Sequence, residues 1–379
     1  MTRERLERLL AVTGPIAPEG IEAFIGDLEC GETALLPADV LKRTLDENRA
    51  PEDGQALLLA ALDAVNAVPE LVELAHVMAQ DAPRALLRCE ACEFKAPQPK
   101  CLTGFARDAF AFLYTQLCVV EGRRALRRRG VPEIYDRDIP ERMTRKQLAK
   151  FAKTGDIRFD DYPWDMNFYC CSIFLLDRFY FIPYRWGDEP EAWRDAQTGH
   201  VVALWRGGVK VRRDGQLDGV NGVFDAEAFE TARIETPDSV TGNPVSPEGR
   251  VRPDPVTLEK SRWRRAFYDR YYPEYEYKGF WSESWLYDPA LGDMLGPERN
   301  ISRVQRQFYC YPTMEGDAMT RLEVLHDAHA DYTRLQPKTT LEKRLFAAWD
   351  RGELRHTTGA FLLREEVPLV GEDPYRREA

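Results

Sequence analysis

Basic residues are in deficit in this chain. Its 379 residues include 52 lysines and arginines against 63 aspartates and glutamates, a formal charge of −11. Neutralising a phosphate backbone needs a basic surface, so the balance argues against a broad nucleic-acid footprint. Long apolar runs are also missing, and no stretch approaches the roughly 20 residues of a membrane-spanning helix. The start, Met1-Thr2-Arg3-Glu4-Arg5, leads into an amphipathic stretch without an apolar signal core, so a cytoplasmic protein is expected. Histidine is scarce, with five residues, and no His-Glu-x-x-His pattern occurs, which argues against a histidine-based metal enzyme. The spacing of His326 and His329 would put them on one face of a helix. No phosphate-binding G-x-x-x-x-G-K-[ST] loop, no dinucleotide G-x-G-x-x-G after a strand and no G-x-S-x-G nucleophile elbow is present. The glycine-rich run from Asp214 to Gly222 follows a hairpin signal and reads as a loop.

What is present is the composition of an ordinary globular protein, 44% hydrophobic and 30% charged. The length suggests two to three domains, at about 150 residues each. Eight cysteines do not make a disulfide framework, because that inference needs a short secreted chain. Cys89 and Cys92, with Cys101 and His76, offer three thiolates and an imidazole. A structural zinc site usually shows two tight ligand pairs, and only one is present here. The expectation is reduced thiols and no metal.

The first third reads helical. Apolar residues fall at helical spacing over Ile21–Leu28 and Leu36–Leu45, and Ala56–Val65 is rich in strong helix formers. Leu71–Met78 follows Pro69. Leu102–Arg129 carries an apolar face through Phe105, Phe112, Leu113, Leu117 and Val120, and stops at Gly130 and Pro132. Thr144–Lys153 is a shorter helix ended by Gly155. Near residue 160 the texture turns aromatic and strand-like. Strands are expected over Phe179–Tyr184, His200–Trp205, Val209–Arg213, Phe280–Trp285, Ser302–Tyr311 and Phe361–Leu363. Gly207-Gly208 is expected to join two of these in a hairpin. Asp288-Pro289 opens a short helix, and Thr340–Arg351 is a helix closed by Gly352. The proline-rich stretch Thr236–Pro255 reads as an excursion. The expected fold class is therefore α+β, an all-helical N-terminal domain over residues 1–155 followed by a mixed α/β domain over 156–379.

Three clusters carry chemistry or packing. Glu283 stands between Ser282 and Ser284, with Trp281 and Trp285 outside them. It is either a general base at a strand end or a surface carboxylate on a strand whose tryptophans pack inward. Arg123, Arg124, Arg127, Arg128 and Arg129 are either a solvated helix end that complements the dipole or a phosphate contact. Phe267, Tyr268, Tyr271, Tyr272, Tyr275 and Tyr277 form an aromatic stripe of the kind that more often builds core.

Ordered landmarks through the second half resemble a family of acyltransferases that pairs a helical N-acyltransferase N-terminal domain with a GNAT-like C-terminal domain. They begin with Arg127–Ile134, Tyr162-Pro163-Trp164 and Phe179–Pro183. They continue with Thr241-Gly242-Asn243-Pro244, followed by Pro247, Gly249, Leu258 and Trp263. Next come Ser284-Trp285-Leu286 with Pro289 and Leu291, then Asn300-Ile301 with Gln305 and Phe308. Thr339–Leu345, Gly359–Leu363 and Pro374-Tyr375-Arg376 close the series. The resemblance covers most of residues 105–378.

It implies transfer of an acyl group from acyl-CoA, as co-substrate, to a small-molecule amine, with no metal. In such domains the sheet splays to admit the pantetheine, and backbone N–H groups hold the pyrophosphate. On this reading Glu283 is the base, Ser284 or Tyr309 the acid, and Asn300 and Gln305 the polar anchors of the cofactor. Glu283, Ser284, Asn300 and Gln305 are expected to converge on one cleft. The sequence also departs from the family. Ser282 and Glu283 stand where a cysteine and a histidine are common, Arg299 replaces a serine, and the pyrophosphate loop [QR]-x-x-G-x-[GA] is not recognisable. The His-Ile-Pro strand and its helix are shortened or moved. These departures keep open a non-catalytic binding protein with a degenerate GNAT-like fold.

Overall fold

The computed structural model describes residues 1–14, 25–26, 31–87, 96–136, 138–176, 179–184, 191–194, 201–204, 250–253, 267–274, 279–314, 317–353 and 357–375. The expectations for most of Ile21–Leu28, Cys89, Cys92, Gly207-Gly208, Val209–Arg213, the glycine-rich run and Thr241–Gly249 lie outside these residues. The chain divides into two compact units, Met1–Pro183 and Tyr184–Ala379. The domain boundary expected at residues 155–156 falls within the first of them.

The first unit is built on helices: α1 (Arg3–Thr13), α2 (Ala38–Glu47), α3 (Glu52–Asn66), α4 (Pro69–Leu87), α5 (Gly104–Arg128), α6 (Ile139–Thr154) and α7 (Tyr162–Tyr169). Leucine and alanine dominate α3 and α4, and their apolar faces close on α5. From Ala109 to Cys118 every residue of α5 is buried, so it is the central rod of the bundle. Gly122 allows a close approach on that rod, because a Cβ there would stand 2.6 Å from the Cys170 carbonyl oxygen. Gly155 closes α6 in the left-handed conformation (φ 72°), and Asp161 caps α7 by accepting from the Trp164 N–H. After α7, β1 (Phe174–Leu176) pairs antiparallel with β2 (Phe179–Tyr184).

In the second unit β3 (Glu191–Arg194) and β4 (Val201–Leu204) form an antiparallel pair. The strand expected at His200–Trp205 is thus present, but its described partner precedes it in the chain. Four further strands lie side by side in the order β5 (Arg250–Pro253), β6 (Gly279–Ser284), β8 (Thr357–Leu363), β7 (Tyr309–Met314). Between β6 and β7 come α8 (Pro289–Leu295) and α9 (Asn300–Gln305), and between β7 and β8 come α10 (Ala318–Leu325) and α11 (Thr340–Asp350). A reciprocal capping box of Thr339 and Glu342 starts α11. Leu345, Phe346 and Trp349 of α11 pack with Leu291 of α8 in a separate small core. Pro312 is tolerated within β7 because β8 is its one described neighbour.

Two expectations need correction. Ser302–Tyr311 is not one strand: it is the last part of α9, a turn, and the start of β7. The inward positions of α9 are Ser302 and Gln305, which are polar and hydrogen-bonded, so the helical apolar period is hidden. His326 and His329 do not share a helix face. His326 ends α10 in the left-handed conformation (φ 61°), and His329 lies beyond it. Of the described residues of the aromatic stripe, Phe267, Tyr268 and Tyr272 are buried core in mutual ring contact, and Tyr271 is half-buried against Phe267.

Candidate functional site

Strand β6 has two unlike edges. Toward β8 it is paired along all six residues, from Gly279↔Leu363 to Ser284↔Thr358. Toward β5 the parallel register is one described pair long, Val251↔Phe280. Pro253, which ends β5, has no N–H to extend a ladder. Glu283 and Ser284 stand at the C-terminal end of β6, beyond the last described pair of the parallel register. In α/β folds, strand ends at a change of partner are where ligands collect.

Period-two alternation assigns the faces. Residues directly opposite one another share a face, so Trp281 and Glu283 of β6 lie with Phe361 and Gly359 of β8 and with Tyr309 and Tyr311 of β7. Glu283 is partly buried and stands opposite Gly359, which stands opposite Tyr311. Gly359 makes room for the tyrosine: a Cβ there would lie 2.4 Å from the Tyr311 ring and 2.7 Å from its hydroxyl. The ring crosses above β8 to Trp281, whose Nε1 donates to the Tyr311 hydroxyl at 2.6 Å. Both side chains are fully buried. The carboxylate thus borders an aromatic pair whose polar atoms are directed at one another.

Tyr309 lies one level down the same face. It is fully buried, stacked on Phe361 at 5.1 Å and 8°, and meets Tyr375 edge-on at 6.1 Å. Ser284 lies on the opposite face, and its Oγ accepts from the Leu286 N–H at 3.2 Å. Gln305 reaches that same turn. Its Nε2 donates to the Leu286 oxygen at 2.8 Å and the Asp288 oxygen at 2.9 Å. Its Oε1 fits over Gly292, where a Cβ would come within 2.1 Å. Asp288 in turn caps α8, accepting from the Ala290 N–H at 2.9 Å. Ser284 and Gln305 accordingly meet at the turn leaving β6, and Gln305 acts there as a clamp on backbone carbonyls. Asn300 is exposed at the first residue of α9.

The arginine cluster of α5 is divided by its partners. Arg123 pairs with Asp136 and Glu141, and Arg124 with Glu121. Cys101, Cys118, Cys170, Cys171 and Cys310 are free thiols, all buried except the partly exposed Cys101. His76 is buried, with Nε2 3.0 Å from the Ala34 oxygen. Among the described residues no group of three or more acidic, histidine or cysteine side chains is placed to hold a metal ion. Among them, too, no helix is long and apolar enough to cross a membrane.

Tyr311 and Gly359 are the parts of the site to which sequence reasoning assigned no role. A glycine inside an apolar strand is a sign of close approach, and that sign is present at Gly359.

Comparison with known proteins agrees with this architecture. Residues 207–361 match the GNAT-like C-terminal domain. The whole chain is similar to the crystal structure of an acyltransferase in complex with decanoyl-CoA. The TM-score is 0.55 at 16% identity, over 96% of this chain and 99% of that one. It is similar also to a mutant acyltransferase in complex with octanoyl-CoA, with a TM-score of 0.52 at 18% identity over the same shares of each chain. At such identities the likeness is one of fold. No curated protein sequence matches.

Proposed function

We propose that this chain transfers an acyl group from acyl-CoA to the amine of a small molecule, at the C-terminal end of β6. The observation that carries the proposal is the short parallel register between β5 and β6, which among the described residues ends before Glu283. In the family that the sequence resembles, the sheet parts at such a place to admit the pantetheine arm. The two similar solved acyltransferases hold acyl-CoA, and the GNAT-like domain match spans β6, β7 and most of β8.

The reaction follows from the groups at hand. The amine nitrogen attacks the thioester carbonyl carbon, and a C–N bond forms. Glu283 takes the amine proton, directly or through one water. The C–S bond then breaks, and the coenzyme leaves as a thiolate that is protonated to the free thiol. The proton comes from a hydroxyl, that of Ser284 or Tyr309 on the sequence reading. The geometry adds Tyr311, which stands across Gly359 from Glu283 on one face. Asn300, exposed on α9, is suited to contact the cofactor. Gln305 serves the site by holding the turn after β6. The net acidity of the chain suits a cationic acceptor, and a cytoplasmic setting suits its free thiols.

The test measures free CoA thiol released from octanoyl-CoA in the presence of a panel of primary amines. Glu283→Gln is expected to lower turnover by about 10²–10⁴-fold, the usual worth of a general base, with octanoyl-CoA affinity retained. Unchanged turnover in that variant would remove Glu283 from the mechanism. Tight octanoyl-CoA binding with no amine-dependent thiol release would favour the non-catalytic binding protein.

A further inference from the structure

The segment that returns from α8 is basic in an acidic chain. From Gly296 to Phe308 it carries three arginines, Arg299, Arg303 and Arg306, against one carboxylate, Glu298. Arg306 is engaged: its Nε lies 3.2 Å from Asp373 Oδ2, and its Nη1 donates to the Pro297 oxygen at 3.2 Å. Arg299 and Arg303 differ. Both are exposed, and among the described residues neither side chain makes an ion pair or a hydrogen bond, even with Glu298 beside them. Elsewhere in the same unit arginines do find acids: Arg334 pairs with Asp331, Arg351 with Glu353 and Arg364 with Asp269.

The two arginines are presented together. Arg303 follows Arg299 by one helical turn, and its N–H donates to the Arg299 oxygen at 2.9 Å. Side chains at that spacing are neighbours on one face. Asn300, three residues before Arg303, is exposed beside them. The other side of α9 is fixed in place. Ser302 and Gln305 are its buried residues, and Gln305 clamps the Leu286 and Asp288 carbonyls at the turn leaving β6. Ile301 packs on the small core of Leu291 and Leu345. An element fastened to the end of β6 therefore holds two guanidinium groups that no carboxylate neutralises. Like charges at this spacing repel, and an anion bound between them removes the repulsion.

We propose that Arg299 and Arg303 hold phosphate groups of the acyl-CoA co-substrate, with the Asn300 amide as an added donor. The inference rests on the acyl-transfer reading and adds to it the residues that meet the charged end of the cofactor. A guanidinium presents a planar fork that matches two phosphate oxygens, and two forks can bracket a diphosphate. The sequence shows no recognisable [QR]-x-x-G-x-[GA] loop to supply backbone donors instead.

The test is calorimetric titration of the full chain with octanoyl-CoA and with octanoyl-pantetheine, which keeps the thioester and acyl chain but has no phosphate. The double variant Arg299→Gln/Arg303→Gln is expected to weaken octanoyl-CoA binding by about tenfold or more, a modest share of what charged hydrogen bonds supply. Octanoyl-pantetheine should bind parent and variant alike. Arg299→Lys/Arg303→Lys keeps the charge without the fork and should fall between the two. Raised salt should weaken octanoyl-CoA binding to the parent more than to the double variant, because exposed charges are screened. Octanoyl-3′-dephospho-CoA separates the two sources of phosphate. If the double variant loses as much affinity for it as for octanoyl-CoA, the arginines hold the diphosphate; if it loses none, they hold the 3′-phosphate. Both positions are exposed, so the variants should fold, with circular dichroism compared with the parent. Parent-like octanoyl-CoA affinity in the double variant, or an equal loss for octanoyl-pantetheine, would overturn this proposal and leave the acyl-transfer reading standing. A parent that binds no octanoyl-CoA would overturn both.

Discussion

At the scale of the residue, Gln305 separates a positioning role from a direct one. Its amide nitrogen is the donor to two carbonyls at the turn after β6, those of Leu286 and Asp288. A buried acceptor that loses its donor costs about 1–3 kcal/mol. Gln305→Ala is therefore expected to lower the unfolding free energy by at least about 2 kcal/mol, read from urea denaturation. If the residue is a clamp, octanoyl-CoA affinity measured well below the denaturation midpoint should change little. A loss of affinity with unchanged stability would instead make it a cofactor contact. Glu283 lies near the same turn but on the other face of the strand, so its replacement should affect turnover and leave stability almost untouched.

At the scale of the element, β8 holds the site together by a side chain it lacks. Between β6 and β7, Gly359 gives the Tyr311 ring the passage it needs to reach Trp281. In Gly359→Ala the new Cβ would meet the Tyr311 ring carbon at 2.4 Å, so the ring must move. Overpacking of a filled core costs about 1–3 kcal/mol. The expected result is a loss of that size in stability and a change in tryptophan fluorescence, as the indole loses its 2.6 Å acceptor. Unchanged fluorescence and stability would show that the crossing of Tyr311 over β8 is not part of the folded strand. By contrast, α8 and α11 depend on local capping, Asp288 in one and the Thr339–Glu342 box in the other.

For the whole molecule, the response to pH is informative. Burial is the main cause that raises the Asp165 carboxyl to about 6, with Asp161 and Asp160 adding and Lys146 and Lys150 opposing. The folded state thus keeps a proton that the unfolded chain releases near the ordinary carboxylate value, about 3.9. Stability contributed by this proton is present below about pH 4 and is lost as pH rises through about 6. Asp165→Asn removes that loss. It is expected to raise the unfolding free energy at pH 7 by about 1 kcal/mol after solvent screening, and to flatten the stability profile between pH 4 and 6. A variant with the parent's slope in that window would refute the assignment.

Much of the chain's local structure was legible in the sequence, because caps and stops act over a few residues. Pro69, Gly130, Gly155, Asp288-Pro289 and Thr339 with Glu342 each punctuate an element by chemistry within a turn of it. Leucine-rich periodicity marked α2 to α5, and the strand pattern marked β2 and β6. Helix α9 was hidden because its inward positions are polar and satisfied by backbone carbonyls that only the folded loop brings near. The proposed site was half legible. Glu283 stood out between two tryptophans, but its companion hydroxyl depends on register. Glu283 meets Gly359, and Gly359 meets Tyr311, through strand pairings between segments distant in the chain. A slip of one residue would have turned every side chain to the other face. The arginine run likewise announced charge, while the choice of Asp136 and Glu141 as partners of Arg123 came from the way α6 folds back on α5. Local sequence set where elements begin and end; long-range pairing decided which side chains face one another, because register is a property of two strands and not of one.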